Sequence, residues 1–326
     1  MIPPDLPAAL KATLEAKLHG LPRHDAAQRA ARISQTYRGG GTSSTIATDA
    51  DALAYAVVRM PATYAAVAAC LNALTELRPE FAPKTLLDVG AGPATASFAA
   101  AEAFASLTSF AALDANPALR TLALSLAEDS DRLSGLIYML GAARTLIAAA
   151  EPADLVIASY MIGELTDADR APLVDALWAK ATDTLVLVEP GTPAGYARII
   201  AARSQLIAAG AHVAGPCPHD QPCPLAAPDW CHFVQRLARS RAHKQVKDVD
   251  VPFEDEKFIY LALTRAPIAR PVARVLAAPA VTKVGATAKL CQADGTVRIA
   301  SISRRDKDAF AAARRWDWGD GVVTDL

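Results

Sequence analysis

No window of this 326-residue chain holds the roughly 18 uninterrupted apolar residues that a membrane-spanning helix needs. Its opening, MIPPDLPAALKATLEAKL, lacks both the apolar core of a signal peptide and the arginine-rich pattern of a transit peptide. These absences lead us to expect a cytoplasmic protein with no membrane partner. Cysteine is sparse, with 5 residues, and without a secretion signal they argue against a disulfide framework. Net charge is nearly absent too, at −1, yet the small sum hides a polarity. Residues 1 to 195 hold 14 Lys+Arg against 21 Asp+Glu, a balance of −7, whereas residues 196 to 326 hold 19 against 13, a balance of +6. An acidic body with a basic face able to meet phosphates follows. The densest basic stretch is Arg236, Arg239, Arg241, Lys244 and Lys247, with no acid between 236 and 247.

What is present is enough apolar material, 52% of residues, for a full core and more than one unit. Residues 1–80 predict helices: Leu, Ala and Ile recur at three- and four-residue intervals, with breaks at Pro22, Gly39-Gly40-Gly41 and Pro61. From residue 84 short apolar strands alternate with helical segments: TLLDVG, SFAALDA, ADLVIASY, TLVLVEP and, after a long interruption, KFIYLALTR. Such alternation argues for an α/β fold with a mostly parallel sheet covered on both faces. We place this domain at 81–267, with an excursion rich in Pro, Cys, His and basic residues at 213–252. Residues 268–326 form a small extension, with a hairpin around Asp294-Gly295 and a basic helical stretch holding Arg304, Arg305, Arg314 and Arg315.

The segment LLDVGAGPATASFAA sets Asp88, Gly90 and Gly92 where a strand opens into a helix. Glycines there let a ligand approach the backbone, and the helix N-terminus offers free N–H groups. The third glycine of a dinucleotide fingerprint is replaced by Thr95. The next strand ends in Asp114, 22 residues after Gly92, where a carboxylate can accept ribose hydroxyls. The pattern resembles class I methyltransferases more than pyridine-nucleotide dehydrogenases. By that resemblance Asp88, Gly90 and Gly92 flank the methionyl part of S-adenosylmethionine and Asp114 holds its ribose. The Asn/Asp-Pro-Pro-aromatic segment of amino methyltransferases is missing: the fourth strand ends in Ser159-Tyr160-Met161-Ile162-Gly163-Glu164. No cysteine nucleophile stands there either. Ser159, Tyr160, Glu164, Glu189 and Thr192 are pocket candidates by location, and no catalytic residue is assigned.

Three cysteines, Cys217, Cys223 and Cys231, fall within 15 residues among prolines, and Cys291 precedes the Asp294-Gly295 turn. Cys70, alone in a helical stretch, reads as a small buried apolar residue. Four thiolates could close a tetrahedral zinc site or hold an iron–sulfur cluster, with His219 or His232 able to replace a cysteine. The spacing C-x5-C-x7-C matches neither paired zinc knuckles nor ferredoxin runs, so spacing leaves the metal open.

Arg59-Met60-Pro61-Ala62-Thr63-Tyr64, LDVGAGPATASFAA, ASYMIGEL, LVEPGTPAG, PCPHDQPCPLAAPDWCHFVQR and FEDEKFIYLALTR occur in one order. In this the chain resembles the ribosomal small-subunit-associated methyltransferase-like family, the mitochondrial Rsm twenty-two type and its bacterial relatives, over roughly residues 30 to 320. The resemblance implies a class I methyltransferase fold, S-adenosylmethionine binding, association with the small ribosomal subunit and its rRNA during assembly, and a 4Fe-4S cluster. It carries the cluster ligands onto Cys217, Cys223, Cys231 and Cys291 and favours iron–sulfur over zinc. The expected activity is rRNA methylation or a role in ribosome assembly or translation; the alternatives are a non-catalytic RNA-binding assembly factor on the same scaffold and an iron or redox sensor.

Overall fold

The computed structural model describes residues 1–247 and 249–323. Residue 248, inside the expected insertion, and residues 324–326, at the end of the expected extension, lie outside the described residues. Three helices come first, α1 (Ala8–Leu18), α2 (Arg23–Arg38) and α3 (Asp49–Leu77). Strands and helices then alternate through β1 (Thr85–Val89), α4 (Thr95–Ala103), β2 (Ser109–Asp114), α5 (Pro117–Ala127), β3 (Ile137–Leu140), α6 (Ala143–Ala149), β4 (Ala153–Ser159), α7 (Asp167–Lys180), β5 (Ala181–Pro190) and α8 (Pro193–Ala208). The expected excursion supplies β6 (His212–Gly215), β7 (Phe233–Ala238) and α9 (Arg241–Lys247), and β8 (Phe253–Thr264) closes the sheet.

The sheet runs β3-β2-β1-β4-β5-β8-β6, with β7 also paired to β8. Strands β1 to β5 are mutually parallel, and β8 is antiparallel to β5, β6 and β7. That order is the class I methyltransferase arrangement. Both faces are buried because neighbouring residues of each strand enter different cores: Leu86, Leu155, Ile157, Val186 and Val188 pack under α1–α5, and Leu87, Val156, Ala158, Leu185 and Leu187 under α6–α8. Three strands escaped the sequence pattern. β3 and β6 are short, with four residues each, and β7 lies within a loop-like composition, so the excursion is part of the sheet rather than outside it.

Pro61 does not end a helix. α3 runs unbroken for 29 residues, started by a capping box in which the Thr48 and Asp51 side chains exchange bonds with each other's backbone N–H. An interior proline costs about 3 kcal/mol, and each fully buried Val, Leu or Met returns about 1.5–3 kcal/mol; α3 buries Leu53, Val57, Val58, Met60, Val67, Leu71 and Leu74. By length and composition α3 could also cross a bilayer, but 72% of its most apolar window is buried inside the protein, as in a core helix.

The C-terminal unit is larger than a hairpin with a helix. β9 (Ala273–Val275), β10 (Ala280–Val281), β11 (Gly285–Gln292), β12 (Val297–Ser303), α10 (Lys307–Ala313) and β13 (Gly321–Val322) build a five-stranded sheet ordered β10-β11-β9-β13, with β12 on β11. Val275, Leu290, Ile302 and Val322 form its own small core.

Candidate functional site

A cavity of about 950 Å³ opens at the carboxyl ends of β1, β2 and β4, where the strand order reverses direction. Gly90 and Ala91 both donate their N–H to the Leu113 carbonyl, which folds the loop after β1 against β2. Gly90 needs its positive φ of 70°, and a Cβ there would lie 2.5 Å from the Met161 Cβ. Only glycine leaves that floor open. The Asp114 carboxylate accepts from the Gly92 N–H at 2.9 Å and the Asn116 N–H at 2.8 Å. It is half-buried and lines the cavity with lone pairs to spare. Burial raises its pKa, and those backbone bonds oppose the rise.

The N-terminal helices roof this cavity. Tyr37, Thr42, Ser43, Ser44 and Tyr55 line it, and the Ser43 N–H and hydroxyl both bond Glu164, at 3.0 and 3.1 Å. Asn116 Nδ2 donates to the carbonyls of Ser43 and Ile46, pinning the Gly39–Gly41 loop over the site. The loop was visible in the sequence; its partner across the cavity was not.

Of the pocket candidates, Ser159, Tyr160 and Glu164 line the cavity. The Tyr160 hydroxyl, however, donates to Glu256 at 2.8 Å, and Arg59 also bonds that carboxylate. Tyr160 holds a φ of 57°, rare for a residue with a side chain. Glu189 and Asp88 do not line the cavity. Glu189 is buried against Arg198 at 2.7 Å and the Gly163 N–H. Asp88 is fully buried and accepts from the Ser97 N–H and hydroxyl, which fastens the start of α4; its other oxygen has no partner. Burial pushes its pKa up to about 7 against those bonds. Thr192 is exposed and caps α8 through Gly195.

Cys217, Cys223, Cys231 and Cys291 line one second cavity, although β11 carries the last of them on the other sheet. The remaining space between them is about 20 Å³, and among the described residues no three His, Cys, Asp or Glu side chains are gathered to hold a single metal ion. The four sulfurs therefore surround a cavity instead of closing on one point. Apolar walls come from Ile199, Leu225, Ile259 and Leu261. Burial pushes the Cys291 thiol up to about 12, with Cys217 and Cys223 nearby adding to the rise and Arg203 and Arg274 opposing it. His219 lines no wall: its Nε2 lies 3.3 Å from Cys291 Sγ, and its Nδ1 faces the Gln221 carbonyl at 3.1 Å. His232 is stacked on Trp230, away from the sulfurs' cavity. Cys70 is buried in α3, apart from the others. Arg203, Arg274 and Tyr196, whose hydroxyl lies 3.2 Å from Cys223 Sγ, were missed by sequence reasoning. One signal was available: Arg203 interrupts the buried Ile199, Ala202, Leu206 face of α8.

The basic stretch at 236–247 is largely neutralised by the acids of β8. Arg236 pairs with Asp255, while Arg239 and Lys247 both reach Glu254. Linear sequence hid this, because the acids sit one strand away. Arg304, Arg305, Arg314 and Arg315 are exposed, and among the described residues they make no ion pair.

A family model described as mitochondrial small ribosomal subunit Rsm22 matches residues 49–323. This chain belongs to the Rsm22 family. It is 29% identical to the human "Ribosome assembly protein METTL17, mitochondrial", an alignment spanning 84% of this chain and 62% of that protein. It is 24% identical to "Rsm22-cox11 tandem protein 2, mitochondrial" of Schizosaccharomyces pombe, over 84% of this chain and 43% of that protein. The chain thus spans about two fifths to three fifths of these relatives' lengths. Among solved structures, a magnesium protoporphyrin IX methyltransferase from Synechocystis with bound SAM aligns at 14% identity and TM-score 0.42, covering 63% of this chain and 80% of that one. A Pyrococcus horikoshii protein whose structure is described as "a putative RNA methyltransferase" aligns at 15% and 0.40, over 64% and 84%. The strand order of this Rsm22-family chain, not these alignments, carries its fold assignment.

Proposed function

We propose that this protein binds S-adenosylmethionine in the large cavity, holds a 4Fe-4S cluster on Cys217, Cys223, Cys231 and Cys291, and serves assembly of the small ribosomal subunit through contact with its rRNA. The observation that carries the cofactor reading is the half-buried Asp114 carboxylate beside the Gly90–Gly92 floor of a 950 Å³ cavity, a ribose acceptor next to a cradle that a Cβ at Gly90 would crowd. Gly90 and Gly92 would flank the methionyl part and Asp114 would hold the ribose; Asp88 would act from behind, by fixing α4. For the cluster, the support is four soft sulfur donors around one cavity. Membership of the Rsm22 family and the human relative's printed role support the ribosomal reading. The exposed arginines at 304–315 offer the phosphate-binding surface. Free thiols suit a reducing compartment, and we place the protein in the cytoplasm with its ribosomes.

A second reading, methyl transfer to rRNA, is favoured by Glu164 and Ser159 at the cavity wall. In such chemistry the cofactor supplies the methyl group and the protein mainly aligns the acceptor. Against it, the Tyr160 hydroxyl is already committed to Glu256 and the usual base-holding segment is missing. Anaerobic purification with iron, zinc and sulfide quantified, followed by S-adenosylmethionine calorimetry and salt-dependent binding of small-subunit rRNA, tests every part. We expect about four irons and four sulfides per chain, a measurable heat of cofactor binding, and RNA affinity that falls steeply with salt. Zinc without sulfide would replace the cluster, and absence of cofactor heat would remove the first site.

A further inference from the structure

Two arginines in the wall of the cysteine cavity have no counter-ion among the described residues. Arg203 is 2% exposed and Arg274 5%. Arg203 reaches the cavity from α8 and donates Nη2 to the His219 carbonyl at 2.7 Å; its Nε has no partner. Arg274 comes from β9 on the second sheet and donates to the carbonyls of Pro216 at 2.8 Å and Gly319 at 2.7 Å; its Nη2 has no partner. Among the described residues neither forms an ion pair, and Asp220, on the same loop as Cys217 and Cys223, is paired with Arg270 instead. A guanidinium stays charged in a protein, and a buried charge is strongly disfavoured unless an opposite charge faces it. Among the described residues, the ionisable groups without a fixed charge that line this cavity are the four thiols and the Tyr260 hydroxyl, and of these only the thiols are donors that become anionic on taking a metal centre.

We propose that Arg203 and Arg274 are the counter-charges of the thiolate-held centre, one from helix α8 and one from the second sheet, and that they set both its retention and its reduction potential. The inference rests on the metal reading above and adds to it the residues that balance charge. A 4Fe-4S cluster in its ordinary oxidised state on four thiolates carries about two net negative charges, matched by the two guanidiniums; a tetrathiolate zinc centre carries the same. Empty, the cavity leaves two positive charges unopposed. Loaded, each neutralises the other, and the centre fastens β9 and β11 to α8 and the main sheet. The arginines are positioning residues, since they act through the cysteines.

The test uses the full chain, purified anaerobically, with Arg203→Gln, Arg203→Lys and the same pair at Arg274. Gln keeps N–H donors without charge; Lys keeps charge without the planar fork. Three readouts separate the roles: midpoint potential by mediated titration with electron paramagnetic resonance, metal loss to a chelator, and melting temperature of loaded and chelator-stripped protein. Both Gln variants should shift the potential downward and lose metal several-fold faster, and should melt lower when loaded but no lower than the unsubstituted chain when stripped. Both Lys variants should keep the potential close to that of the unsubstituted chain. Equal loss of melting temperature in loaded and stripped forms, or Lys variants that behave as Gln, would show that the arginines merely bind carbonyls and would overturn the proposal. If the unsubstituted chain holds zinc, the cluster reading fails while retention and melting still decide the charge argument. If it holds no metal, both fall.

Discussion

The large cavity, about 950 Å³, sits at the ends of three parallel strands with its floor set by the loop after β1, whereas the cysteine cavity, about 20 Å³, exists only where two sheets meet. Gly90, Gly92 and Asp114 are held by backbone bonds between adjacent parallel strands, so their geometry is already set when no ligand is present. Cys217, Cys223 and Cys231 lie on a loop, Cys291 on β11, Arg203 on α8 and Arg274 on β9, so that site has no geometry apart from the docking of the C-terminal sheet. Local hydrogen bonds build a cradle that waits for its ligand. Distant segments build a cage that needs its centre, because binding free energy there is also folding free energy.

The largest effect should come from breaking the cage. Cys223→Ser should abolish cluster retention and cost the C-terminal sheet more than about 4 kcal/mol of local stability, read as loss of hydrogen-exchange protection over residues 273–322. Cofactor heat at the other cavity should persist within about twofold. A variant that lost both together would show one cooperative unit and dissolve the contrast. Next comes the cradle floor. Gly90→Ala puts a Cβ 2.5 Å from Met161 on a backbone at φ 70°, and should cost about 2–4 kcal/mol of unfolding free energy in urea and close the cavity to S-adenosylmethionine. A neutral Gly90→Ala would mean that the loop relaxes freely and is not set in advance.

That contrast also explains what could be read in the sequence. The α/β class, five strands and the place of Gly90, Gly92 and Asp114 at strand ends were legible, since alternating apolar runs and a glycine turn are local signals; the burial of Asp88 behind the cavity was not. The four cysteines were legible as a candidate metal set, and family resemblance carried the ligand role onto all four, but spacing could not show their common cavity, because 60 residues separate Cys231 from Cys291. Arg203 and Arg274 were not legible as a pair: one interrupts a helix face and the other sits in a three-residue strand. Charge was misleading for a related reason. The acid-free run at 236–247 reads as a phosphate surface until β8 places Glu254 and Asp255 beside it. Pro61 and β7 were misread because burial from elsewhere in the fold outweighs a local break.

Smaller still is the contribution of a single contact within the cradle. Asp114→Ala removes a charged acceptor for ribose and should weaken S-adenosylmethionine by about 10- to 100-fold, the equivalent of about 1.5–3 kcal/mol, with cluster content unchanged. Calorimetry that found less than a threefold change would take the ribose away from Asp114. Asp114→Asn should recover part of the loss, since it keeps an acceptor for the Gly92 N–H.

The gentlest probe is pH, because Asp88 belongs to the cradle's frame and not to its surface. Its pKa of about 7 in the folded protein lies above the ordinary aspartate value of 3.8. Between those values the folded chain keeps a proton that the unfolded chain has lost. Asp88 therefore lowers stability as pH rises from about 4 to about 7, with a slope no steeper than about 1.4 kcal/mol per pH unit, and adds no further change above about 8. Asp51, Asp183 and Asp220 work in the opposite sense: bonds to Thr48, Arg78, Arg270 and backbone overcome their burial, and their depressed values add stability as pH rises through the acid range. The net profile of the unsubstituted protein hides the Asp88 share. Subtracting the urea unfolding profile of Asp88→Asn isolates it, since asparagine cannot titrate and still accepts from Ser97. The difference should slope across that window and go flat beyond it. A difference flat throughout would mean that Asp88 is ionised at its ordinary pKa, with water reaching the oxygen that has no partner here.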